Sequence, residues 1–213
     1  MGEYNKGILG AFSGKVGPVV GANWRGKDII RSLPKKSTKE PSEKQLLQRE
    51  KFAFVTRFVT PLGPMLGRYF GHKMGDRSKK NMALSYHMKE AVDYVAGRYE
   101  MVYEKVQISK GDLLGVASPR ATADAGGSIH LTWNDNSGQA TAKPTDVLIA
   151  VVYNTEKHSS EMFFKVAKRS EREADLQLPD FMLGDEVECW ISFVSEDEKK
   201  YATSNYLGRI KLI

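Results

Sequence analysis

Hydrophobic residues along the chain fall into three regimes of spacing. In residues 6–36, KGILGAFSGKVGPVVGANWRGKDIIRSLPKK, apolar positions are interrupted by glycine: Gly7, Gly10, Gly14, Gly17 and Gly21 recur at steps of three and four. Such steps would line one seam of a helix. Pro18 would break that helix, Val16, Val19 and Val20 favour strands, and each glycine costs about 1 kcal/mol against alanine in a helix. The segment is therefore predicted as a β-hairpin. One arm runs from about Lys15 to Trp24, the turn is Arg25-Gly26-Lys27-Asp28, and the other arm runs from Asp28 to Leu33, stopped by Pro34. Its glycines serve either turns alone or places where another backbone comes close.

The second regime has helical spacing. After a polar link, Pro34 to Pro41, Ser42 with Gln45 forms a capping-box pattern, and Leu47, Phe54, Val55, Phe58 and Val59 supply an apolar stripe up to Pro61. A short further helix is predicted in Pro61–Phe70, packed through Leu62, Met65 and Leu66. Ser78 caps a second long helix, about Lys79 to Ala96, with Met82, Tyr86, Ala91, Val92 and Val95 inward and Gly97 as its stop. Tyr99 to Ser109 turns to strand periodicity, and Lys110-Gly111-Asp112 reads as a turn and domain boundary.

The third regime alternates with period two. Strands are predicted at Ser128–Trp133, Val147–Tyr153, Met162–Ala167, Ala174–Leu178, Val187–Val194, Tyr201–Tyr206 and Arg209–Ile213, with dense turn chemistry at Asn134 to Gly138. Val147–Tyr153 is apolar on both faces, as in a central strand. Around Cys189 the inward set is Val187, Cys189, Ile191 and Phe193; Glu186, Glu188 and Ser192 are expected to face out, with Trp190 among them. The expected architecture is α+β: residues 1–110 as a basic module of an N-terminal hairpin and two to three helices, and residues 111–213 as an all-β sandwich of immunoglobulin or fibronectin type III character.

Charge sharpens this division. The net charge of +6 splits into +11 over residues 1–110 and −5 over residues 111–213. A basic half attracts nucleic acid, an acidic membrane face or an acidic protein, including the other half of a neighbouring copy. Lys15, Arg25, Lys27, Arg31, Lys35, Lys36 and Lys39 fall within 25 residues, interleaved with Trp24. A two-stranded ribbon fits a DNA major groove, its cations can pair with phosphates, and Trp24 could stack on a base or an arginine. Arg49 and Lys51 on the first helix extend the set; Lys44, Arg57, Lys73, Arg77, Lys79 and Lys80 form a second tier. A basic face that is merely solvated is the competing explanation. With 41% hydrophobic residues the chain can build a packed core, and its one cysteine, Cys189, cannot form an internal disulfide. The N-terminus has no apolar signal-like run and no stretch approaches a membrane span, so a cytoplasmic or assembly-associated protein is expected.

The residues offer little for catalysis. Cys189 sits on an apolar strand face. His72, His87, His130 and His158 are scattered, with no helical or CxxC-type metal spacing, so no metal site is expected. Glu186 and Glu188 share a strand face and read as exposed acids rather than an acid–base pair. Phosphate-loop and dinucleotide motifs are absent: Ser13-Gly14-Lys15 has no following Ser or Thr and no helix behind it. No cofactor is indicated.

Three runs, KGILGAFSGKVGPVVGANWRGKDIIRSLPKKSTKEPSEKQLLQREKF, VQISKGDL and TWNDNSGQATAKPTDVLIAVVYN, resemble an uncharacterised bacterial family, a domain of unknown function. The resemblance covers nearly the whole chain. It implies a two-part build and carries no established activity, cofactor or catalytic residue. A shorter run, Lys44 to Phe52, also looks like segments of phage-related proteins. Two functions are thus expected in competition: a non-enzymatic binder of nucleic acid or another polyanion, or a self-assembling structural subunit, of a filament or virion, joined through the Gly-rich strand and head-to-tail charge complementarity.

Overall fold

The computed structural model describes residues 3–4, 10, 12–24, 26–35, 39–72, 75 and 77–213. Two compact units divide at Leu46/Leu47, about one turn into the first helix. The first unit carries β1 (Glu3–Tyr4), β2 (Phe12–Val16), β3 (Val19–Trp24) and β4 (Lys27–Ser32), paired antiparallel in chain order. The expected ribbon is β3 with β4, in register from Val19↔Ser32 to Trp24↔Lys27. Its first arm does not reach back to Lys15: Gly17-Pro18 forms a turn, and β2 is a separate strand. The Leu33 N–H donates to the Pro18 carbonyl at 2.8 Å, tying that turn to the end of β4.

Helix α1 (Glu43–Val59) starts as its sequence predicts. The Gln45 N–H donates to Ser42 Oγ at 3.4 Å, and the Ser42 N–H donates to Gln45 Oε1 at 3.2 Å, which satisfies donors that the first turn leaves unpaired. Within the second unit follow α2 (Gly63–Tyr69) and α3 (Lys79–Glu90), the latter capped by Ser78 Oγ accepting from the Asn81 N–H. Helix α3 ends at Glu90, short of the expected Ala96. Residues 92–101 instead fold into a hairpin, β5 (Val92–Val95) against β6 (Arg98–Met101). Its two-residue turn, Ala96-Gly97, has both φ angles positive, at 48° and 85°, the geometry that suits a tight hairpin. Val95, expected inward, is consequently exposed, and the strand expected at Tyr99–Ser109 stops at Met101, where a 3-10 turn takes over at Tyr103–Lys105.

Seven strands complete the unit: β7 (Ala117–Asp124), β8 (Ser128–Asn134), β9 (Val147–Asn154), β10 (Ser159–Phe163), β11 (Glu173–Gln177), β12 (Glu186–Val194) and β13 (Asn205–Lys211). They form a four-stranded sheet, β10-β9-β12-β13, and a three-stranded sheet, β11-β8-β7. Strand β7 carries only small inward residues, and its Pro119 is tolerated because β7 is an edge strand. The two segments expected at Tyr201–Tyr206 and Arg209–Ile213 merge into β13, which bulges opposite Cys189/Trp190.

The four-stranded sheet is buried on both faces. One face packs on the three-stranded sheet through Ile129, Leu131, Leu148, Val152, Cys189, Ile191 and Phe193. The other, with Ile149, Val151, Tyr153, Trp190 and Val194, is covered by Val55, Phe58, Leu62, Leu66 and Ala83 of the helical layer. Three outward expectations fail for that reason, the first being Trp190, which is fully buried against the helices. Ser192 is buried and donates to the Ala202 carbonyl. Glu188 is also buried, accepting from Arg209 Nε at 2.8 Å and from the Tyr206 hydroxyl, instead of lying as a solvated acid beside Glu186.

His87 sits fully buried under this layer. Its Nδ1–H donates to the Ala83 carbonyl at 2.7 Å, and Nε2 accepts the Gln107 N–H at 3.4 Å. Burial lowers its pKa from 6.5 to about 4. The folded state therefore binds the proton more weakly than the unfolded chain, and the stability this neutral histidine contributes is complete above pH 6.5 and is lost as pH falls towards 4. About 2 kcal/mol of it should be gone by pH 5. Chemical denaturation of wild type and His87→Gln at pH 7 and pH 5 checks this: the wild type should lose more stability than the variant, and equal losses would refute it.

Candidate nucleic-acid interface

Paired residues of antiparallel strands share a face, and successive residues alternate. The register Lys15↔Val20↔Arg31, Ala22↔Ile29 and Trp24↔Lys27 therefore places Lys15, Arg31, Lys27 and Trp24 on one face of the β2–β4 sheet. No acid shares it. Asp28, the acid of the ribbon, points to the opposite face, where it accepts from Asn23 Nδ2 at 2.9 Å. Asn23 Oδ1 in turn accepts the Gly26 N–H at 3.0 Å, closing the turn from the face away from the cations. All six residues of β4 are exposed, and Trp24 is 51% exposed. Lys27 and Arg31 lie four residues apart on β4, roughly 13 Å at the rise of a strand, a span of about four nucleotides along a duplex axis.

The other predicted residues are placed as follows. Lys35 and Lys39 are exposed beyond the ribbon. Arg25 and Lys36 lie outside the described residues, as does Lys73 of the second tier. Arg49 and Lys51 belong to the second unit: Arg49 is exposed, and Lys51 is half-buried in a groove of about 570 Å³ between α1 and α3, with Phe52, Leu84 and Met88. Lys79 is engaged within its own unit, donating to the Arg68 carbonyl at 2.7 Å and lying 4.6 Å from the centre of the Tyr201 ring.

Cys189 faces the sandwich core, and burial pushes its thiol up to about 12, far from a thiolate nucleophile. Asp146 and Arg169 form a fully buried ion pair at 3.1 Å. The guanidinium also donates to Asn136 Oδ1 and to the carbonyls of Leu114 and Gly115, and stacks 3.9 Å from the Phe193 ring centre, so its donors are spent inside the protein. Among the described residues one group has the composition to hold a metal: Asp124, His130 and Asp175, whose ligand atoms all lie within 4.8 Å of one another. Sequence spacing could not reveal it, since the three come from separate strands. No helix among the described residues is long and apolar enough to cross a membrane.

A family model described as a family of unknown function (DUF6266) matches residues 11–208. No curated protein matches the sequence, and the likeness of Lys44–Phe52 to phage-related proteins has no counterpart among these findings. Among solved structures, the chain is similar to the fn3 domain of the human collagen alpha-1(XX) chain, at 8% identity and a TM-score of 0.35, over 49% of this chain and 93% of that one.

On the side opposite the cations, the sheet closes tightly over Gly21. A Cβ there would collide with the Phe12 carbonyl oxygen and come within 2.7 Å of the Phe12 ring, so at this glycine another backbone does come close. Gly21→Val should cost the first unit about 1–3 kcal/mol and speed amide hydrogen exchange across residues 12–32. Unchanged exchange would show that the close approach is not needed.

Proposed function

The chain belongs to this family of unknown function, and we propose that it is a non-enzymatic binding protein whose N-terminal sheet grips nucleic acid through its cationic face, with the β-sandwich as an interaction domain. The observation that supports this reading is the segregation of Lys15, Lys27, Arg31 and Trp24 from the acid of the same ribbon. Residues 1–46 hold nine Lys/Arg and four Asp/Glu, so the first unit is cationic as a whole. Contacts of this kind run to phosphates, carry little sequence information and weaken steeply with salt. Trp24 adds a stacking surface for an unpaired base, which favours single strands over a closed duplex.

A second reading is favoured by the edge of the same sheet. Strand β4 ends the sheet, is exposed along its length, and carries Ile29 at 37% and Ile30 at 69% exposure. An open apolar edge can pair with a strand from another copy. The protein would then be a self-assembling subunit.

Fluorescence anisotropy with labelled single-stranded DNA and RNA at two salt concentrations tests the first reading. Lys27→Glu with Arg31→Glu should weaken binding alike for all sequences and lower the salt slope by about two; absence of binding at low salt for both nucleic acids would end it. Light scattering over a concentration series tests the second. Association that Ile30→Lys suppresses is the expected outcome, and a strict monomer at high concentration excludes it.

A further inference from the structure

We propose that Asp124, His130 and Asp175 bind a divalent transition-metal ion on the outer face of the three-stranded sheet. The register builds the site. Thr122, His130 and Asp175 lie opposite one another across β7, β8 and β11, and Asp124 is two residues beyond Thr122, so all three side chains rise from the same side. The neighbours that alternate with them, Ile129, Leu131 and Leu176, are fully buried in the sandwich core and hold the three backbones in place. Metal sites set on paired strands are better positioned than sites on loops.

The donor set suits such an ion. One imidazole and two carboxylates match zinc and its transition-metal neighbours, supply two negative charges against a dication, and leave room for water on the solvent side. Metal–ligand bonds of 2.0–2.2 Å in a tetrahedral site put ligand atoms about 3.4 Å apart. His130 Nδ1 and Asp175 Oδ1 are now 2.6 Å apart, and the widest separation in the group is within 4.8 Å. Side-chain rotations of about 1 Å would bring the three to coordination distance. They are available, because the Asp175 side chain is 69% exposed and Asp124 is exposed as well. Glu173, two residues before Asp175 on β11, rises from the same side of the sheet. A plain His130–Asp175 ion pair accounts for the 2.6 Å contact, and it uses Asp124 only as a nearby charge, not as a ligand. Asp124 is therefore the residue that separates a metal site from a salt bridge.

This inference stands apart from the polyanion reading: its residues are in the second unit, and its test reads metal alone. The full-length protein is titrated with zinc chloride by calorimetry near neutral pH. The expected result is one zinc per chain, with affinity reduced by His130→Ala and by Asp124→Asn at least as much as the roughly tenfold that even an outer partner of a metal site is worth. Asp124→Asn leaves the His130–Asp175 contact in place, and with Asp124 at the surface it should not change the metal-free melting temperature. His72→Ala, which removes the exposed His72–Asp112 contact, should bind as wild type. No saturable uptake by the wild type, or wild-type affinity in Asp124→Asn, overturns the proposal.

Discussion

A sheet buried on both faces is the constraint on which the second unit rests. Strands β9 and β12 lie at its centre, and their side chains alternate between two cores: Leu148, Ala150 and Val152 go to the sandwich, and Ile149, Val151 and Tyr153 go to the helices. A sandwich of this size would ordinarily turn its outer faces to water. Here the helical layer closes one of them. Phe58 meets Tyr153 edge-on at 4.9 Å between ring centres, and Trp190 donates from its indole to the Tyr103 carbonyl at 3.3 Å. Helices and three-stranded sheet therefore pack on opposite faces of the same central sheet.

Double burial also explains the polar residues inside. Once the outer face of β12 is covered, Glu188 must be neutralised where it stands, and Arg209 with the Tyr206 hydroxyl does so. Burial and the neighbouring carboxylate raise the pKa of Tyr206, which keeps it a donor. His87 is held neutral by the same layer. On the sandwich side, Arg169 meets Asp146, Asn136 and two carbonyls, so the loops that converge there are joined by a satisfied cation rather than by apolar packing.

Strand register also organises the surface. In β2–β4 it gathers three cations and a tryptophan on one face and sends Asp28 to the other. In the second it sets a histidine between two aspartates drawn from strands far apart in the chain. Both arrangements follow from pleating, in which one step along a strand reverses a side chain and pairing aligns it with a neighbour.

Local chemistry was legible in the sequence. The Ser42–Gln45 cap, the Ser78 cap, the inward set around Cys189 and most sandwich strands follow from propensity and period, which act within a few residues; the turn expected over residues 25–28 is tighter, with Lys27 and Asp28 already paired in β4. The nearness of Lys27 and Arg31 on one arm was legible for the same reason, but Lys15 joins their face only through β2, a separate strand that the sequence alone merges with the first arm. Tertiary structure alone decided the rest. The sequence around Trp190 reads as one buried face and one open face, and only the arrival of the helices fills the second. Residues 92–96 read as the end of a helix, and only pairing with β6 through the Ala96-Gly97 turn makes them a strand. Asp124, His130 and Asp175 carry no spacing signal, because their meeting depends on which strands pair. That choice is made by burial of apolar surface over long stretches of chain, and no local window contains it.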